Sequence, residues 1–284
     1  FLMIRRPPRS THCISSAASD VYKRQRQAVL NNLDWIVINE LDDTFDLNSK
    51  QLDIIKPQVE AAHLSLKKEY SQQLGMRLRN LALSSKDGIS REELEPVLKF
   101  MMILRRDFMI KNSENLGYFF KGLSDRQLKH YQEELAERDE DVQELLDEDN
   151  FEEEVGDYVE NRADRLKTWF GDLDDKQLKI VRKYIAPNKE SLQRYVDRRR
   201  KKQDVFIAYI KEHDAKKIDE FFQTWAKDSN HRSKLADIEI RNWQKWTLDY
   251  FTELSASLNK DQREFFADRM NELAADLVIF SSRS

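Results

Sequence analysis

An all-helical fold is predicted by three observations. A helix-start signature recurs five times, only six glycines and five prolines occur in 284 residues, and apolar residues recur at spacings of three, four and seven. So few turn-formers cannot serve the many corners of a β fold, whereas those spacings place apolar side chains on one face of a helix. Hydrophobic residues make up 40% and charged residues 35%, a balance that suits long two-faced helices better than a thick globular core. No run of roughly 18 uncharged apolar residues is present to span a bilayer.

The signature is a Leu, a capping residue and a Gln three positions on. It reads Leu47-Asn48-Ser49-Lys50-Gln51-Leu52, then Leu123-Ser124-Asp125-Arg126-Gln127-Leu128, then Leu173-Asp174-Asp175-Lys176-Gln177-Leu178, then Leu258-Asn259-Lys260-Asp261-Gln262. Ile89-Ser90-Arg91-Glu92-Glu93-Leu94 is a Glu variant. In each, the Asn, Ser or Asp side chain accepts an orphan backbone N–H, and the Gln or Glu reaches back to the cap's own N–H. The preceding Leu or Ile is placed to staple against Leu52, Leu128, Leu178 or Leu94. Gly122 and Gly171 stand where a left-handed residue ends the previous helix.

These marks predict helices near 27–41, 48–83, 90–120, 124–147, 151–170, 174–186, 188–211, 214–228, 231–255 and 259–280. Pro57 should kink the second, since it lacks an N–H and crowds the preceding turn. Pro96 falls early in the third, and Pro187 stands where a new helix starts. The junctions are short, so consecutive helices should turn back as antiparallel neighbours. The signatures start 42, 34, 50 and 85 residues apart, which is no fixed period. An elongated bundle or irregular array of antiparallel helices is therefore expected rather than a regular solenoid.

Residues 1–25 are basic, Ser-rich and aperiodic, and hold Pro7, Pro8 and the single cysteine, Cys13. They lack the apolar core of a secretory signal. The segment resembles translated sequencing-adapter DNA and is read as a non-native or disordered leader to a single domain, 26–284, with a possible sub-division near 171–188. Without it the chain carries 43 basic and 51 acidic residues and no cysteine. A single cysteine rules out an intrachain disulfide framework. An acidic balance argues against general nucleic-acid binding, which needs a basic field.

Asn31-Asn32-Leu33-Asp34-Trp35-Ile36-Val37, followed by Glu40-Leu41-Asp42-Asp43-Thr44-Phe45-Asp46-Leu47, resembles the opening block of an uncharacterised family of proteobacterial helical lipoproteins. Arg162 to Gly171, leading into Leu173 and Gln177, resembles that family as well. The resemblance implies export, an N-terminal lipid on a cysteine upstream of this block, and a place on the periplasmic side of the envelope, at the outer membrane. The upstream cysteine of the family is not seen here. The Leu-x-x-x-Gln starts are also similar to those of the Spy and CpxP-like periplasmic chaperones, which would imply unfolded proteins as clients.

Little else points to chemistry. Glu60-Ala61-Ala62-His63 has the Glu-x-x-His spacing of di-iron bundles, but a second copy is lacking. His130, His213 and His231 stand alone, and no zincin, phosphate-loop or nucleophile-elbow motif occurs. Asp147 to Glu152 is reminiscent of a calcium loop, except that Phe151 replaces an oxygen ligand and Glu152 the needed glycine. The acidic stretch 137–160 reads as a solvated face. The basic run Arg194, Arg198, Arg199, Arg200, Lys201 and Lys202 could meet anionic lipid head groups or nucleic acid, or pair with that acidic stretch. Aromatic stripes through Phe221, Phe222 and Trp225, through Ile240, Trp243, Tyr250 and Leu254, and at Phe265 and Phe266 read as core. Met101, Met102 and Met109 suit either core filling or an adaptable binding face.

The expectation is a non-enzymatic protein without a metal or other cofactor. It would act by contacts with envelope proteins or, alternatively, with unfolded clients as a holdase. Asp34, Trp35, Asp42, Asp43 and Gln51 mark the fold without indicating a site.

Overall fold

The computed structural model describes residues 24–147, 151–226 and 234–282. Every regular element among them is helical. The order is α1 (residues 24–31), α2 (Leu33–Phe45), α3 (Ser49–Ser65), α4 (Ser71–Ser84), α5 (Arg91–Lys121), α6 (Asp125–Asp147), α7 (Phe151–Phe170), α8 (Asp175–Ile185), α9 (Lys189–Lys211), α10 (Ala215–Ala226), α11 (Lys234–Ala256) and α12 (Lys260–Ser282). The expected all-α architecture is present, with most helix starts falling one residue after the predicted cap. The first predicted helix is instead two, broken at Asn32. Most of the 1–25 leader lies outside the described residues.

The capping boxes form as the sequence prescribes. Asn48 and Gln51 exchange bonds of 3.0 Å in both directions. Asp174 and Gln177 do the same at 2.8 and 3.0 Å, and Asn259 and Gln262 at 2.9 and 3.0 Å. Gly171 is left-handed, with φ +74°. Gly122 is not: its φ is −84°. There the helix tightens instead, with the N–H groups of Gly122 and Leu123 bonding back three residues to Phe119 and Phe120. A 3₁₀-type last turn satisfies those carbonyls without a left-handed residue. At the first signature the left-handed place falls to Asp46, φ 48°, and the Asp42 carboxylate accepts the Leu47 N–H at 3.0 Å.

Helix α3 runs through Pro57. The departure from α geometry comes later, as a π turn over Leu66–Tyr70 that leads into α4. Inserting one residue leaves a carbonyl to satisfy, and Leu66 receives both the N–H and the hydroxyl of Ser71.

Two hydrophobic cores result. One draws Leu78, Leu81, Val155, Phe170, Val181, Leu254, Phe266 and Leu277 from α4, α7, α8, α11 and α12. The other draws Phe45, Ile55, Phe120, Leu128, Ile210, Ile218 and Phe222 from α2, α3, α5, α6, α9 and α10. The start of α5 packs on the first core through Leu94 and Val97, and its end belongs to the second through Phe119 and Phe120. Phe170, Leu173, Ile180 and Ile185 all pack in the first core. The most extensive helix contacts join α5 to α10 and α4 to α12, partners far apart in sequence. Both bring backbones close: a Cβ at Gly117 would lie 2.5 Å from the Ala215 carbonyl, and one at Gly75 3.1 Å from that of Ala274.

Helix α1 is tied to the first core's edge. The fully buried Asp276 carboxylate accepts from Arg26 Nε at 2.7 Å and Gln27 Nε2 at 3.1 Å. A buried carboxylate is tolerated only when paired and hydrogen-bonded in this way.

Candidate functional site

The Gln residues of the signatures do more than cap. They meet in two pairs, one beside each core. In the first pair, Gln51 Nε2 donates to the Gly122 carbonyl and to Gln127 Oε1, both at 3.0 Å. Gln127 Nε2 returns bonds to the Asp46 carbonyl at 2.9 Å and to Gln51 Oε1 at 2.7 Å. The second pair repeats this. Gln177 Nε2 reaches the Ser257 carbonyl at 3.1 Å and Gln262 Oε1 at 2.7 Å, while Gln262 Nε2 reaches the Asp172 carbonyl at 2.6 Å and Gln177 Oε1 at 2.9 Å.

Each amide thus uses both its donors and both its acceptor positions, since each Oε1 also takes its own cap's N–H. In all four signatures the carbonyl that receives the foreign amide belongs to the residue two before the cap. Gln127, Gln177 and Gln262 are buried, where an unpaired amide would be costly. The capping chemistry was legible in the spacing; the pairing was not, because nothing in one chain's spacing says which helix starts face each other. These clasps are structural, and they fix the rotation of the helices that carry them.

The remaining candidates are dispersed. His63 Nε2 meets the Leu30 carbonyl at 2.9 Å, Nδ1 lies 3.4 Å from Asp34, and the ring stacks on Phe280. The Leu30 carbonyl can only accept, so Nε2 carries its proton there and is not a free metal ligand. Glu60 is exposed. His130 and His213 likewise face the Asp43 and Lys121 carbonyls, and His231 lies outside the described residues. Among the described residues no three His, Cys, Asp or Glu side chains gather as metal-holding groups do.

Residues 148–150 of the calcium-loop stretch lie outside the described residues, and Phe151 is a core residue of α7. The basic run pairs in part with the acidic stretch: Arg199 and Arg200 both bind the buried Asp139 carboxylate, the latter at 2.7 Å, and Arg194 bonds Glu190.

The aromatic stripes are largely core. Phe222, Tyr250, Leu254 and Phe266 are buried, while Ile240's side chain lies outside those described. Burial of Tyr250 pushes its phenol up to about 12, and its hydroxyl has no hydrogen-bond partner among the described residues. Met109 packs in the second core, and Met102 accepts from Gln244 at 3.0 Å. Exposed apolar surface remains at Met101, Trp225, Trp243 and Trp246, with the Arg105 guanidinium over Trp225.

A second exposed group escaped the sequence reading. Trp35 is 62% exposed, and Ile36 and Val37 beside it on α2 are also exposed. Periodicity cannot flag such residues, because any apolar residue is first assigned to a core face.

No protein-family model matches the chain, and neither a curated protein nor a solved structure does. Among the described residues no helix is long and apolar enough to cross a membrane.

Proposed function

We propose that this chain is a non-enzymatic helical lipoprotein. It faces the periplasm from the outer membrane, is anchored through an N-terminal lipid, and acts through contacts with other envelope proteins. The observation that supports this most is the exposure of Trp35 within the Asn-Asn-Leu-Asp-Trp block. The neighbouring signature residues have structural work: Asp34 lies beside His63, and Asp42 caps the end of α2. Trp35, Ile36 and Val37 instead face outward. Exposed aromatic residues of this kind are favoured anchors in protein interfaces.

Sequencing across the native 5′ end of the gene, followed by fractionation of cells expressing the full reading frame, tests the location. An apolar signal ending in a small residue and Cys ahead of Leu33, with protein in the outer-membrane fraction, is expected. A short polar leader and cytosolic protein would overturn it. Contact through α2 is tested by in-cell photocrosslinking from position 35, where specific adducts to an envelope protein are expected; their absence removes the proposed surface.

A holdase activity is the alternative, favoured by the exposed apolar residues Met101, Trp225, Trp243 and Trp246. Equimolar protein should then suppress aggregation of a chemically unfolded client. No suppression across several clients removes this reading.

A further inference from the structure

Between α8 and the last turns of α11 lies an open depression of about 440 Å³, within the size range of small-ligand pockets. Its rim on α8 carries Lys176, Lys179 and Lys183, at positions i, i+3 and i+7 of one helix face. Ile180 and Ala256 contribute apolar lining, and Glu253 and Ser257 come from the α11 side. The second glutamine clasp fixes this arrangement: Gln177 and Val181 are fully buried, and Gln177 is bonded to the Ser257 carbonyl itself. The lysines are therefore held at the rim by the same contact that joins the two helices.

Asp172, Asp174 and Asp175 lie nearby in sequence, but only one of the three rim lysines is engaged by a carboxylate among the described residues. Glu253 is bound by Lys183 Nζ through both oxygens, at 2.9 and 2.6 Å, and by the Tyr184 hydroxyl at 2.7 Å. These bonds hold its carboxyl below the usual carboxylate range, and they occupy it. The Asp174 carboxylate accepts the Gln177 N–H. Arg182, on the same helix, faces Glu152. Lys176 and Lys179 have no carboxylate within ion-pair distance among the described residues. Two free ammonium groups thus border a concave surface on a chain whose net charge is −4.

We propose that this depression binds a doubly charged, phosphate-bearing anion. Lysine ammonium groups act as compact point charges suited to phosphate oxygens. Neighbouring lysines one helical turn apart can bracket an anion with several oxygens, and two charges on that anion match the two ammonium groups. The apolar lining removes water from one side of the contact, which strengthens it relative to a flat surface. The phosphate belongs either to a soluble ligand or to a lipid headgroup.

The test titrates the full chain at low salt with inorganic pyrophosphate by calorimetry. In parallel, flotation is measured with phosphatidylcholine vesicles with and without phosphatidic acid, whose phosphomonoester approaches two negative charges. Saturable binding that weakens steeply with salt is expected, because both ammonium groups are exposed and readily screened. The double variant Lys176→Ala/Lys179→Ala should weaken it roughly tenfold, the loss expected for two exposed charge contacts. The exposed α3 pair Lys50→Ala/Lys56→Ala should leave it unchanged, and helical circular dichroism should be the same for both. Pyrophosphate binding lost in the double variant identifies a soluble ligand, and flotation alone lost in it identifies a headgroup. Binding of neither probe, or equal loss in the α3 control, overturns the proposal.

Discussion

In the four clasped signatures the third helical residue is glutamine, and in the unclasped fifth it is glutamate. The difference is explained by what each side chain faces. Glu93 closes a capping box at the surface, where the Ser90 backbone N–H holds its carboxyl below the usual range; a pure acceptor serves there. Gln177 must also donate, to Ser257 and Gln262. Gln177→Glu keeps the box but sets a buried carboxylate against two acceptors, so a loss of about 2–3 kcal/mol is expected, while Glu93→Gln should stay within about 0.5 kcal/mol. Urea midpoints measure both. The carboxyl introduced at 177 has its folded pKa raised by burial and by the facing oxygens. The folded variant is therefore favoured below the ordinary Glu value of about 4.3 and loses stability as pH rises through the raised value. Its deficit should narrow in acid, and an equal deficit at all pH values would argue against the clasp. Tyr250 tests the opposite case, a buried hydroxyl with no partner among the described residues. Tyr250→Phe should be neutral or stabilising by up to about 1 kcal/mol. Its folded pKa of about 12 exceeds the unfolded value of about 10, so the wild type should lose stability as pH rises from about 10 towards 12. The phenylalanine variant should lack that part of the slope in denaturant titrations.

At the scale of the helix, much of the fold could be read directly because each start carries its own chemistry. A cap, its Gln and the preceding Leu announced α3, α6, α8 and α12 within a residue, because capping is a local transaction between groups three apart. The break at Asn32 and the π turn at Leu66–Tyr70 had no such announcement. Both lie near a junction of three helices, where His63 of α3 meets the Leu30 carbonyl of α1 and stacks on Phe280 of α12. Glycine shows the same division. Intrinsic propensity says that Gly→Ala inside a helix gains about 1 kcal/mol, and Gly156, with nothing within 4 Å of a built Cβ, should follow it. Gly117 should not, because its missing Cβ is what lets α5 lie against the α10 backbone at Ala215. Gly117→Ala is expected to cost about 1–3 kcal/mol through overpacking, and Gly156→Ala to stabilise. Thermal denaturation of the two variants should shift in opposite directions; a gain at position 117 would mean that the two backbones are not in contact.

The molecule as a whole has a duplicated logic. One clasp joins the starts of α3 and α6 beside the second core, and the other joins the starts of α8 and α12 beside the first. The second partner of each clasp, α6 or α12, follows a tightened last turn with paired bonds back three residues, at Gly122-Leu123 and Ser257-Leu258. The sequence displayed four similar signatures but not their division into two pairs, since pairing depends on which helix ends the cores bring together. The two units are nevertheless not separate. Helix α5 packs on one core through Leu94 and Val97 and on the other through Phe119 and Phe120, and α3 with α4 also supplies both. Unfolding one core alone would have to end these helices midway, and each new end leaves backbone groups unsatisfied. The cores should therefore unfold as one cooperative unit. Native-state hydrogen exchange of Gln177→Glu, a lesion beside the first core, measures this. Protection of Ile210 and Ile218 in the second core should fall by the same free energy as that of Val181 and Leu254 in the first. If Ile210 and Ile218 kept wild-type protection, the through-running helices would not couple the two cores.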